Sequence, residues 1–214
     1  MNLEKIDLGL YRLKIPFENI YTTVYIAVTT QGCAVIDSGT YLEDVDNYIL
    51  PAIERIGVRK DEVRYLLLTH DHGDHSGGIA RLSECLPNAK VSACITKQVE
   101  FTPLADGEFL LGRLQVIYLF GHTKNCVGYY DLETKTLLSG DCLQLGGVDK
   151  YRNGIAYADE YVMSVNKLRD MDIFRIVAAH DYEPLGAIAE GREAVERYLA
   201  TCLEYVDKKW DCLI

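Results

Sequence analysis

The stretch VRYLLLTHDHGDHSGG, residues 63–78, constrains this chain more than any other. From Val63 to Leu68 it is almost wholly apolar, as a strand covered on both faces is. It then runs straight into a turn in which three histidines and two aspartates occupy residues 70–75. A covered strand needs a layered sheet, so the chain must build one whose strand end leaves these side chains at an edge. Crowding three imidazoles and two carboxylates into one turn is electrostatically awkward unless a cation organises them.

The rest of the chain supplies such layers. Strand-like runs of Tyr, Ile and Val occupy 8–15 and 21–29, and a third strand is predicted over 33–37. Val45, Tyr48, Ile49, Ala52, Ile53 and Ile56 recur at three- and four-residue spacing, which predicts a helix over 41–56 with one apolar face, ended by Gly57. Further strands are predicted at 90–93, 109–111, 114–119, 127–132, 136–138 and 173–178, and helices at 77–86, 158–171 and 190–208. No Pro/Gly/Ser-rich linker or repeat interrupts the chain, so one domain spanning 1–214 is expected. A strand-rich α/β pattern of this kind suits sheets packed face to face with helices outside.

The chain has only five histidines, at 70, 72, 75, 122 and 180, and each lies just past a predicted strand or in the loop that follows. LFGHTKN around His122, LLSGDCL around Asp141 and VAAHDYEP around His180 repeat one layout, an apolar run followed by a candidate ligand. Imidazole nitrogen and carboxylate oxygen suit zinc and other first-row divalent ions. Residues two apart in an extended turn point the same way, so His70 and His72 can close on one ion. Asp74 and His75 then face a neighbouring position, where a second ion has its place. His122 completes the first set, His180 the second, and Asp141, with two carboxylate oxygens, is the natural bridge. Asp74 and Asp141 are the candidate catalytic carboxylates. Two ions about 3.5 to 4 Å apart would hold a hydroxide acidic enough to form near neutral pH.

HDHGDHSGG, GHTKNCVGYY, SGDCL and AAHDYEP, in this order, resemble the metallo-β-lactamase fold superfamily from about Val35 to Pro184. The resemblance implies a four-layer αββα sandwich of two mixed sheets with the metals at the sheet edge. It implies the ligand sets His70, His72, His122 and Asp74, His75, His180, with Asp141 shared by two divalent ions, zinc first and iron or manganese as alternatives. Asp37, in a VIDSG segment, is implied as an outer residue orienting the site; a plain strand-end aspartate is the structural alternative. His72 stands where the diiron oxygen-reducing branch typically has glutamate, which favours a hydrolase-like site.

The segment GDCLQLGGVDKYRNG resembles glyoxalase II, in which a lysine at the position of Lys150 holds the carboxylate of the thiol carrier. Tyr182 matches that family's substrate-contacting HxY tyrosine. Lys150 and Arg152 lie close together in an acidic protein and suggest an anion-binding mouth. Asp149 replaces a glycine and Arg152 a tyrosine, and with 34 residues after His180 the separate helical domain of long glyoxalases is not expected. Thioester hydrolysis is the leading expectation. The alternatives within the fold are a mononuclear-iron persulfide dioxygenase and a lactonase, although the lactonases carry a tyrosine where this chain has Gln144.

A formal net charge of -10 disfavours nucleic acid and anionic membranes as partners and leaves a small-molecule substrate. No apolar run spans a bilayer and no secretory signal is visible, so the cytoplasm is expected. Seven cysteines without a CxxC pair are read as reduced thiols, with Cys126 and Cys142 as buried strand residues. The amphipathic C-terminal helix either covers its own sheet or pairs two subunits as a homodimer.

Overall fold

A computed structural model describes residues 2–17, 19–145 and 154–210, with side chains as far as 206. The chain divides into two compact units, Met1–Leu114 and Gln115–Ile214.

In the first unit one sheet has the order β1 (Asn2–Asp7), β2 (Leu10–Phe17), β3 (Ile20–Thr29), β4 (Gly32–Ile36), β5 (Val63–Leu67), β6 (Lys90–Ala93) and β7 (Thr102–Pro103). Pairing is antiparallel from β1 to β4 and parallel from β4 to β7. One face carries Val24, Ile26, Cys33, Val35, Leu66 and Leu68, which cluster with Val45, Ile49, Ala52, Ile53, Ile79 and Leu82 from the helices. The alternate residues Tyr25, Ala27, Ala34, Ile36 and Leu67 are buried too, which is why these strands read as unbroken apolar runs.

The predicted 41–56 helix forms as α1 (Leu42–Asp44), a π-helical turn Val45–Ile49, and α2 (Leu50–Arg55). Pro51 explains the widening: it has no N–H to donate and its ring would collide with the carbonyl four residues back in a regular helix. Gly57 ends the run at φ +80°. The predicted 77–86 helix forms as α4 (Ile79–Cys85), and an unanticipated helical turn, α3 (Gly73–Ser76), precedes it within the histidine cluster.

A short β8 (Phe109–Leu110) precedes β9 (Leu114–Tyr118), which begins at the last residue of the first unit. The second sheet continues β13-β12-β11-β10-β9, with β10 at Val127–Asp131, β11 at Thr136–Gly140, β12 at Arg175–Tyr182 and β13 at Gly186–Glu190. Only β11 and β12 are parallel among the pairs β10–β11, β11–β12 and β12–β13. Helices α5 (Ala158–Arg169) and α6 (Arg192–Trp210) cover it through Tyr161, Val165, Leu168, Val195, Tyr198, Leu199 and Cys202, which cluster with Leu137, Ile176 and Ala189. Cys126 and Cys142 lie in the same cluster, and no disulfide joins the six described cysteines.

Three strands differ from expectation. Edge strand β1 is rich in charge and gave no strand signal; it forms because Glu4 lies opposite Arg12 on β2. Strand β7 was likewise not anticipated. The third is β13: GAIAE, alanine-rich and helical by propensity, pairs along β12, and the last helix starts at Arg192 rather than at residue 190. No described helix is long and apolar enough to cross a membrane.

Candidate metal centre

In the first unit the parallel pairing of β4 and β5 sets Ile36 beside Leu67, so the chain beyond each strand emerges at the same sheet edge. Asp37 and Thr69 meet there. Asp37 Oδ1 accepts the Thr69 backbone N–H at 2.7 Å and Oδ2 accepts the Thr69 hydroxyl at 2.8 Å. The His75 Nδ1 lies 2.8 Å from the same Oδ2. His70 Nδ1 lies 3.1 Å from Thr69 Oγ1. The His70 ring is 4.5 Å from His72 and 4.3 Å from His75, centroid to centroid, and His75 Nε2 is 3.3 Å from Asp74 Oδ2. Burial pushes the Asp37 carboxyl upward, while the His75 imidazole and the Thr69 donors oppose that shift.

The glycine pair closes the turn. A Cβ on Gly77 would strike the Thr40 carbonyl and one on Gly78 the Ser38 carbonyl, so the 38–40 loop lies directly against the cluster. Ser38 fastens that contact, its N–H and hydroxyl both donating to the His75 carbonyl at 2.7 and 2.9 Å.

In the second unit β9 leads to Gly121, whose φ of +140° and close approach to Tyr161 leave no room for a side chain. His122 follows, its Nδ1 2.7 Å from the Gly154 carbonyl. Asp141 follows Gly140, which is also at positive φ, at the end of β11. Parallel β12 carries His180 alongside, and Nε2 of His180 lies 3.4 Å from Asp141 Oδ1 while Nε2 of His122 lies 3.8 Å from Asp141 Oδ2. The Tyr182 ring is 5.9 Å from that of His180.

These contacts determine what the site can hold. A carbonyl and a carboxylate only accept, so Nδ1 of His122 and of His75 carries the proton and, in a neutral ring, Nε2 presents a lone pair. Each of these Nε2 atoms then faces a carboxylate oxygen, acceptor against acceptor. Only positive charge at those points makes the arrangement favourable, and a divalent ion bound by nitrogen and oxygen supplies it at each. Histidines that ligate metal commonly donate their other N–H to a carboxylate or backbone carbonyl in this way. The seven residues expected from sequence as ligands all offer candidate ligand atoms, so the donor set fits a divalent metal.

The structure places Asp37 against His75 and Thr69, buried and at φ +67°, rather than in an ordinary strand-end turn. Lys150 and Arg152 lie outside the described residues. Two contributors were not anticipated: Thr69 and the Gly154 carbonyl. Thr69 was visible as the residue opening the cluster; a backbone carbonyl 32 residues from His122 leaves no mark on sequence.

The family model of the metallo-beta-lactamase superfamily matches residues 18–93. A Beta-lactamase-like protein 2 homolog of Caenorhabditis elegans is 27% identical over 175 residues, covering 77% of this chain and 57% of its own length. A hydroxyacylglutathione hydrolase of Francisella tularensis subsp. novicida is 35% identical over 138 residues, covering 60% and 54%. The chain thus spans about half the length of the curated relatives it matches. A metallo-beta-lactamase structure from Cronobacter sakazakii, a HARLDQ-motif variant, superposes with a TM-score of 0.74 at 19% identity, covering 100% of this chain and 98% of that one. The two mixed sheets and their helices have the metallo-beta-lactamase α/β sandwich fold.

Proposed function

We propose, from the premise that residues 18–93 carry the metallo-beta-lactamase superfamily domain and that the chain has that superfamily's fold, that this protein is a metal-dependent hydrolase acting on a thioester. The observation that carries the reading is the orientation of the imidazoles, with Nδ1 of His75 and His122 committed to oxygen acceptors and Nε2 turned to carboxylates. In this reading His70, His72 and His122 hold one ion, Asp74, His75 and His180 a second, and Asp141 serves both. Zinc suits the nitrogen-rich donor set, the proposed ion pair being otherwise iron or manganese.

When bound, such ions supply a hydroxide near neutral pH and polarise the carbonyl under attack. The protein's own groups do the rest. Asp141 would help keep the attacking oxygen in place, and Asp74 would take the proton it loses; as the new C–O bond forms and the C–S bond breaks, that proton would pass to the departing thiolate. Tyr182, next to His180, is proposed to contact the substrate, and Lys150 and Arg152 to bind an anionic group on the thiol carrier. The hydrolase named in Francisella supports the thioester class. The charge of -10 supports a small-molecule substrate rather than nucleic acid or an anionic membrane, and a cytoplasmic location is part of the same proposal.

Metal analysis of the purified protein, paired with turnover on thioesters, lactones, phosphodiesters and persulfides, tests the proposal. We expect about two ions per chain and preferential thioester hydrolysis. Saturation at one iron with oxygen consumed on persulfides overturns it in favour of a dioxygenase.

A further inference from the structure

Thr69 and Asp37 join two imidazoles that the dinuclear reading assigns to different ions. The carboxylate of Asp37 only accepts, so the Thr69 hydroxyl spends its one proton on Oδ2. Its oxygen is left as an acceptor, 3.1 Å from His70 Nδ1. His70 must therefore carry its proton on Nδ1 and present a lone pair at Nε2. His75 donates its own Nδ1–H to the same Oδ2 at 2.8 Å. One carboxylate oxygen thus receives His75 directly and His70 through a hydroxyl. Asp37 sits at φ +67°, a conformation non-glycine residues rarely adopt and keep only where their surroundings enforce it. Its side chain is wholly buried, and the Thr69 backbone N–H holds the other oxygen at 2.7 Å. The carboxylate therefore cannot turn toward one histidine without disturbing the other.

We infer that the Thr69 hydroxyl is a positioning group that couples the two ligand sets through Asp37, so that its loss weakens the binding of both ions. The inference rests on the dinuclear reading above. It differs from a general packing role, because a methyl group in place of the hydroxyl preserves the volume of the side chain yet leaves His70 Nδ1 without its acceptor and Asp37 without one of its donors.

The experiment uses the full chain, stripped of metal and titrated with zinc against a chromophoric chelator, as wild type, Thr69→Val and Thr69→Ser. Thr69→Val is expected to weaken both stepwise affinities by about 10- to 100-fold, and Thr69→Ser to remain within about threefold of wild type. Melting of the metal-free proteins reports whether the valine variant is folded. Independently of any variant, long-range proton–nitrogen NMR of zinc-loaded wild type should show His70 and His75 both protonated at Nδ1. Two ions in wild type with valine affecting neither step, or only one, overturns the coupling and leaves the dinuclear reading intact. A serine variant as weak as the valine one, or His70 protonated at Nε2, overturns it as well. A wild type that saturates at one ion removes the dinuclear reading and the coupling with it.

Discussion

At the scale of single residues the chemistry is set by which atom of each side chain is already occupied. His122 shows it most simply: the Gly154 carbonyl takes its Nδ1 proton, and Nε2 is turned toward Asp141. Asp141 is approached by two imidazoles, one at each carboxylate oxygen, so the charge matters as much as the shape. Asp141→Asn keeps the volume but replaces one oxygen by an amide that donates where an acceptor is needed. It should lower metal affinity or turnover by at least about 100-fold, the upper end of what loss of an outer partner costs. Zinc titration and thioester kinetics on the variant measure this; a variant that keeps most of both would remove Asp141 from the shared position.

At the scale of elements, the parallel pairs β4–β5 and β11–β12 do the positioning. Each sets two strand ends side by side, Asp37 with Thr69 and Asp141 with His180, so residues far apart in the chain meet at one edge. Strand β1 shows how an edge is held without an apolar signal. Burial acts to raise the Glu4 carboxyl, but the Arg12 hydrogen bond and the charges of Arg12 and Lys14 outweigh it and leave Glu4 below the usual carboxylate range. A carboxyl lowered in the folded state adds stability that is present above its unfolded value and is lost as pH falls through the folded one. Glu4→Gln should therefore cost about 0.2 to 1 kcal/mol near neutral pH, the range for a partly exposed pair. The difference from wild type should vanish once the pH is well below about 4, where glutamate is protonated in either state. Denaturant unfolding at several pH values checks it, and an equal difference throughout the range would exclude the ion pair as its source.

At the scale of the whole molecule, the proposed metal ions are ligands of the folded state. Side chains that are oriented and deprotonated only after folding bind an ion that the unfolded chain holds poorly, so occupancy adds to stability. At free metal about one hundred times the dissociation constant the gain is roughly 2.7 kcal/mol per site. For a chain of this size that raises the melting temperature by roughly 5 to 10 °C per occupied site. Thermal unfolding with zinc and with excess chelator should show the difference, and identical curves would argue against any folded-state metal site.

The sequence by itself determined which side chains are candidate donors at the proposed site. Donor types and order were visible in four short motifs, because a ligand must be a particular side chain and a strand that ends in one leaves an apolar run before it. The apolar face of the 41–56 helix was equally legible, and Val45, Ile49, Ala52 and Ile53 are buried as its spacing requires. What only the tertiary structure decided was the connection between those parts. Nothing local to Thr69 announces that its hydroxyl meets Asp37, 32 residues away, since that contact follows from the register of β4 against β5. GAIAE is a strand because β12 offers it a ladder, against its own propensity, and β1 is held by a charged partner across the sheet. Periodicity reports which face of an element is buried, whereas hydrogen-bond direction and protonation depend on the atom brought opposite, and only the folded chain supplies that atom.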